Sequence, residues 1–286
     1  MNNDRIQEIL DLMEEARLDY FLISDPQSIA YCTGYYNDPH ERMFVFMISK
    51  HGNHTLFMND LFYLDHDLDV NIVWHKDGQD AIQTIVDEMH FPGRIGIDKN
   101  WASHFLLDLM KKLPDAKYIN ASPCVDLVRM KKDLQEQVLM IESSKINDAV
   151  MEEIIPFIQE GVTEKQLAKK LDELFFNHHS TCYGAIVAFG KNAADPHHEN
   201  DDTPLRKGDC VLIDMGCVYK GYCSDMTRTF FYEGILEEEI KVYEIVKKAN
   251  EAAEAMIKPG VKLSDIDKCA RKVISDEGYG KYFTHR

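Results

Sequence analysis

Val211-Leu-Ile-Asp214-Met-Gly216-Cys-Val-Tyr219-Lys220-Gly221-Tyr222-Cys-Ser-Asp225-Met-Thr227-Arg228-Thr-Phe230 decides how this chain is read. Each half reads as strand, and each carries one aspartate. The Tyr219-Lys220-Gly221-Tyr222 segment between them has the turn chemistry that folds such a run into a hairpin. A two-residue loop at Tyr219-Lys220 sets Asp214 directly across from Asp225, with Cβ atoms about 4.5–5.5 Å apart. Moving the loop to Lys220-Gly221 makes them diagonal neighbours, still on one face. Leu212 and Gly216 share the face of Asp214, and Thr227 and Thr229 that of Asp225. Val211, Ile213, Met215 and Phe230 line the other face, so both faces are expected to be partly buried. Two carboxylates this close in a half-buried sheet repel unless a cation lies between them. The alternative, a hairpin showing two solvated aspartates to water, explains less of the pattern, and a metal site is the expectation.

The rest of the composition mainly excludes. In 286 residues, 32 Lys and Arg against 49 Asp and Glu give a net charge of −17. That charge opposes nucleic-acid binding, which needs cations to displace counterions from phosphates. No apolar run approaches the roughly 18 residues of a membrane span, and the start, Met1-Asn-Asn-Asp-Arg-Ile-Gln7, does not read as a signal peptide. The seven cysteines form no Cys-x-x-Cys pair, which suggests reduced thiols in the cytoplasm.

Along the chain, an amphipathic helix over 4–17, a strand at Tyr20–Ile23 and a helix opened by Asp25-Pro26 begin an alternating α/β pattern. Strands at 43–48, 55–58 and 71–74 and helices near 79–89 and 101–112 continue it. The pattern ends near Ser122-Pro123, giving an N-terminal α/β domain over 1–123 and a second domain over 124–286. The second opens with a long helix over 133–158. Thr163 with Gln166 forms a capping box for a helix to about His178. Strands at 185–189 and 210–231, a helix over 236–257 and a helix capped by Ser264 with Asp267 follow. Ile158-Gln-Glu-Gly161-Val162 is echoed by Ile257-Lys-Pro-Gly260-Val261, each between a long helix and another helix, so a helix–helix–sheet unit is read as used twice. The second copy stops at Phe283-Thr284-His285-Arg286 with no strands following. The expectation is therefore an incomplete α+β domain, a fragment of a longer protein.

Asp214-Met-Gly-x-x-Tyr-x-Gly-Tyr-x-Ser-Asp225-Met-Thr-Arg-Thr-Phe resembles the first metal-binding motif of the pita-bread metallopeptidases. The α/β domain followed by Asp126-Leu-Val-Arg-Met-Lys-Lys-Asp133 is similar to the prolidase, aminopeptidase P and creatinase branch of that family. The resemblance implies two divalent metals held by two aspartates, a histidine and two glutamates. Asp214 and Asp225 match the aspartates, whereas the other ligands would lie beyond Arg286. His285 matches the approach to the histidine ligand and is not itself one. A carboxylate-rich set with one imidazole favours Mn²⁺ or Co²⁺, with Zn²⁺ the alternative, and two such ions activate a water for attack on the scissile carbonyl.

By the same resemblance, Gly190-Lys-Asn-Ala-Ala-Asp-Pro-His197-His198 contains the histidine that helps bind substrate and stabilise the transition state, and His197 matches it. Asp195 stands where the family often has a small or apolar residue. Asn37-Asp38-Pro39-His40-Glu41-Arg42 is read either as a solvated turn or as a loop that Asp38, His40 or Arg42 uses to touch the substrate's charged ends from a homodimer partner. Thr227 is expected to hydrogen-bond a ligand carboxylate from behind, and Arg228 to make a structural salt bridge. The implied activity is hydrolysis of the Xaa-Pro bond in dipeptides, whose tertiary amide general peptidases handle poorly. The alternatives are an aminopeptidase P acting on longer peptides and a non-catalytic relative that binds peptides or proteins. The 286-residue chain alone is expected to have little or no peptidase activity.

Overall fold

In the computed structural model, which describes residues 1–90 and 92–284, the chain forms two units, Met1–Lys132 and Asp133–Arg286. The first is built on a sheet covered on both faces. Its elements are α1 (Asn3–Glu15), β1 (Tyr20–Ile23), α2 (Pro26–Thr33), β2 (Val45–Ser49), β3 (Thr55–Asn59), β4 (Asn71–His75), α3 (Ala81–Glu88), β5 (Arg94–Ile97), α4 (Ser103–Lys112), β6 (Lys117–Asn120) and α5 (Ser122–Met130). The strand order is β4-β3-β2-β1-β5-β6. β2 runs antiparallel to both β1 and β3, whereas the β1–β5, β5–β6 and β3–β4 pairs are parallel.

Alternate residues of β1 serve two cores. Phe21 and Ile23 meet Ile9 and Met13 of α1 and Val125 and Val128 of α5, while Tyr20 and Leu22 meet Ile82 and Ile85 of α3 and Leu109 of α4. This is why β1, β2 and β3 read as continuous apolar runs rather than alternating ones. Asp25 caps α2 by accepting from the Ser28 N–H at 2.9 Å, with Pro26 in the first turn. The division between units falls after Lys132, not at 123/124, because α5 buries Cys124, Val125 and Val128 in the first unit's core.

The second unit contains α6 (Leu134–Ile154), α7 (Glu164–Asn177), β7 (Thr181–Cys182), β8 (Ile186–Phe189), β9 (Cys210–Tyr219), β10 (Tyr222–Phe231), α8 (Glu237–Glu254) and α9 (Leu263–Asp276). β9 is central: β10 lies along one edge, and β7 and β8 share the other. Val211, Ile213, Met215 and Cys217 point to one face, where Val150, Met151 and Ile154 of α6 and Leu167, Leu171, Leu174 and Phe175 of α7 cover them. Both expected ends of α7 are observed, with Thr163 and Gln166 making the reciprocal capping box. Gly161 and Gly260, the matched glycines of the repeat, both adopt left-handed backbone, with φ of 85° and 89°. α9 departs from expectation. It starts at Leu263 behind Lys262 with no side-chain cap, and Asp267 instead accepts from Arg271 Nε at 2.9 Å. His285 and Arg286 lie outside the described residues.

Candidate active site

The hairpin register resolves in favour of the later turn. Tyr219 pairs with Tyr222, and Lys220 and Gly221 form the loop with φ of 49° and 84°. Both central residues at positive φ define the turn that matches the twist of two strands. Asp214 therefore pairs with Thr227 and Asp225 with Gly216, which makes the two aspartates diagonal neighbours on one face. The Thr227 hydroxyl donates to Asp214 Oδ1 at 2.7 Å and fixes that carboxylate's rotation. Asp214 is half-buried, whereas Asp225 and Thr227 are exposed, so this face is more open than the expectation of burial on both sides. Arg228 makes no ion pair among the described residues; its Nη1 donates to the Thr227 carbonyl at 2.8 Å.

The hairpin is anchored from behind. Ser143 of α6 donates to Ser224 Oγ at 2.9 Å, and Tyr222 donates to Glu136 Oε1 at 3.0 Å. Glu136 itself is buried, inside the capping box of α6. The strand backbone around the aspartates is thus held by buried polar contacts that apolar periodicity does not reveal.

Tyr183 is a site residue that sequence reasoning missed. Its hydroxyl donates to the Ser224 carbonyl at 2.8 Å, laying the ring over Gly216. A Cβ at Gly216 would lie 2.2 Å from Tyr183 Oη and 2.3 Å from the Ser224 carbonyl oxygen. Desolvation, followed by the negative charges of Asp225, Cys223 and Asp214, pushes the Tyr183 phenol up to about 12. The only sequence signal was a glycine set between two strand aspartates.

His197 is exposed, in the segment that leaves β8 through a short 3₁₀ turn at Gly190–Ala194. Asp195, the departure from the family's usual residue, accepts the His197 N–H at 3.1 Å and so forms the turn that presents it. The segment then doubles back along β8. Asn200 accepts from the Val187 N–H and donates to the Ala185 carbonyl, both at 2.7 Å. That returns the chain to the level of Ile186, the residue paired with Asp214. Glu164, His198 and Asp201 bring one ligand atom each within 4.8 Å of one another. Their oxygens and nitrogens are already joined by hydrogen bonds, including His198 Nε2 to Glu164 Oε2 at 2.6 Å.

Of the loop residues in the first unit, Asp38 and His40 are largely exposed, and Asp38 Oδ1 accepts the His40 N–H at 3.1 Å. Arg42 grips Asp77 through two parallel bonds, Nε to Oδ1 at 3.0 Å and Nη2 to Oδ2 at 2.8 Å. This fork holds the Asp77 carboxyl below its ordinary range.

The site's donor set suits a hard or borderline divalent ion. Two carboxylates share a face, one of them oriented by a hydroxyl, with a glycine rather than a side chain between their rows. A strand pair bearing such a face beside a histidine-bearing loop has the oxygen and nitrogen donors that a divalent ion takes. Residues 138–286 match metallopeptidase family M24, and residues 5–131 match the creatinase/prolidase N-terminal domain. The chain belongs to that family, and its second unit has the pita-bread fold.

An uncharacterized peptidase of Staphylococcus aureus is 31% identical over 99% of this chain and 81% of its own length. A dipeptidase from Pyrococcus horikoshii, 34% identical, superposes with a TM-score of 0.88 over 99% of this chain and 80% of its own. A prolidase from Thermococcus sibiricus, 29% identical, does so at 0.91 over 100% and 80%. An Xaa-Pro dipeptidase from Bacillus anthracis, 25% identical, reaches 0.87 over 99% and 79%. Among the described residues no helix is long and apolar enough to cross a membrane.

Proposed function

We propose that the protein hydrolyses the bond before proline, chiefly in Xaa-Pro dipeptides, using two divalent metal ions. The observation that carries this reading is the shared face of Asp214 and Asp225, with Thr227 on Asp214 and the His197 segment folded back to the level of Asp214's strand partner. Asp214 and Asp225 would hold the ions, and their oxygen donors favour Mn²⁺ or Co²⁺ over Zn²⁺. Such ions supply Lewis acidity and an activated water. Thr227 keeps the Asp214 carboxylate turned toward the open face. His197 donates to the scissile carbonyl oxygen as negative charge develops there, the stabilisation that lowers an acyl-transfer barrier most.

The dipeptide preference is supported by relatives described as a dipeptidase, a prolidase and an Xaa-Pro dipeptidase. Asp38, His40 and Arg42 would limit substrate length from the partner of a homodimer. Seven unpaired thiols, Cys32, Cys124 and Cys217 among them buried, fit a reducing cytoplasm. The test is hydrolysis by protein purified from its native source, stripped of metal and reloaded with Mn²⁺, Co²⁺ or Zn²⁺. Xaa-Pro dipeptides, Xaa-Ala dipeptides and longer Xaa-Pro-Xaa peptides are compared. Selective cleavage of Xaa-Pro dipeptides is expected. A preference for the longer peptides would favour an aminopeptidase P, and no proline-directed cleavage by metal-loaded protein would refute the reading.

A further inference from the structure

Glu164 is the one charged residue of α7 with no exposed surface, and the site as described so far gives it nothing to do. It sits at the first position of the helix, behind the Thr163 cap. A buried carboxylate is costly unless its oxygens are fully bonded, and here they are. Oε1 accepts from the Phe189 N–H at 2.8 Å and from Asn192 Nδ2 at 2.9 Å. Oε2 accepts from His198 Nε2 at 2.6 Å and from the Asp201 N–H at 3.1 Å.

These four donors are spread along the segment that carries His197. Phe189 ends β8, Asn192 lies in the 3₁₀ turn, His198 follows His197 directly, and Asp201 closes the return. The helix end completes the junction, because the Glu164 and Lys165 N–H groups donate to the carbonyls of Thr203 and Asp201 at 3.3 and 3.1 Å. A cation at Glu164, His198 and Asp201 would have to break this arrangement. Asp201 Oδ1 is itself taken up by the Thr203 N–H at 2.7 Å. The cluster is a hydrogen-bonded clamp.

We propose that Glu164, through His198, is a positioning residue for His197: one buried carboxylate sets where the exposed imidazole stands relative to the Asp214–Asp225 face. The inference rests on the reading of His197 as the group that touches substrate. The Asp195 turn holds the His197 N–H and Glu164 holds the next residue, His198, so the bonds to Glu164 bear directly on where His197 stands. Geometry of this kind governs rate steeply, since a displacement of about 1 Å at a catalytic group costs on the order of 100-fold.

The test is a double-mutant cycle in the protein at its natural length, loaded with Mn²⁺ and assayed on an Xaa-Pro dipeptide. Glu164→Ala and Glu164→Gln are combined with His197→Ala. Glu164→Ala is expected to lower kcat on the order of 100-fold with metal stoichiometry unchanged. It should have less than about a twofold effect once His197 is already Ala, the non-additivity of residues acting through one another. Glu164→Gln keeps the Oε1 acceptor for Phe189 and Asn192 and sets an amide donor against the Asp201 N–H. It should fold and recover part of the rate.

Amide hydrogen exchange supplies a readout independent of turnover, accelerated at least tenfold at Asp201 in Glu164→Gln, and at both Phe189 and Asp201 in Glu164→Ala. Full additivity of Glu164→Ala with His197→Ala, or unchanged exchange in Glu164→Gln, overturns the positioning role. If His197→Ala alone leaves kcat intact, the underlying assignment of His197 fails instead, a result the exchange data cannot mimic.

Discussion

Gly216→Ala is the perturbation that most sharply tests the geometry of the carboxylate face. The added Cβ meets two obstacles of different kinds: Tyr183 Oη at 2.2 Å and the Ser224 carbonyl oxygen at 2.3 Å. Tyr183 is half exposed and can swing out, at the cost of its 2.8 Å hydrogen bond to that carbonyl. The carbonyl cannot move so easily, because the Ser224 side chain is tied to Ser143 by bonds of 2.9 and 3.0 Å. The strand pair must therefore spread where Gly216 faces Asp225. Overpacking costs about 1–3 kcal/mol and the lost hydrogen bond about 1, so the destabilisation expected is about 2–4 kcal/mol. Urea unfolding of the metal-free protein, followed by tryptophan-independent far-UV dichroism, reads it as a lowered midpoint at unchanged slope. Tyr183→Ala in the Gly216→Ala background should recover only the tyrosine part. A Gly216→Ala protein within about 0.5 kcal/mol of the parent, the range of a harmless surface change, would refute the packing argument.

Three further outcomes follow from the same contacts. Tyr183→Phe removes a phenol raised to about 12 from its ordinary 10.0. The stability this group contributes is full below pH 10 and lost as pH climbs through about 12, so the metal-free variant should show a flatter alkaline stability curve in denaturant titrations between those values. Asp214→Asn and Asp225→Asn should each weaken Mn²⁺ or Co²⁺ binding by at least tenfold in calorimetry. Thr227→Val should weaken it less, since it removes only the hydrogen bond that orients Asp214. Asp38→Ala and Arg42→Ala should change KM across a peptide-length series while metal content stays constant. Because Arg42 also holds Asp77, Arg42→Ala should in addition raise the Asp77 pKa toward its ordinary value, visible in carboxyl NMR.

Much of the fold was legible because apolar periodicity and capping chemistry agreed. α1, α2, α7 and the β9–β10 hairpin each carry their own start, stop or turn signal. Among the strands that escaped notice, β5 and β6 read Arg-Ile-Gly-Ile and Lys-Tyr-Ile-Asn, too short and too polar at their ends to stand out. Gly96 weakens the strand signal further, yet a Cβ there would lie 2.5 Å from Ala121 Cβ, so tertiary packing requires the residue that local propensity disfavours. The same logic moved the division between units. α5 looks like the start of the second unit because it opens with Ser122-Pro123, and only the burial of Cys124, Val125 and Val128 against α1 and β1 assigns it to the first.

The candidate site divides along a similar line. Asp214, Asp225 and Thr227 were readable because period-two alternation places them on one face whichever way the turn is drawn. Glu164 and Tyr183 were not, because nothing in their neighbourhood is periodic with the residues they serve. Glu164 sits twenty-five positions before the Phe189 amide it binds, and Tyr183 forty-one before Ser224. Glu164 is also an ordinary first-turn acid favoured by the helix dipole. What distinguishes it is complete burial with every lone pair used, a property of the folded loop. The residues proposed to hold metal are set by local strand geometry and can be found by pattern. Those that hold the loop are set by closure of the fold, and they become visible only when each buried donor is traced to its acceptor.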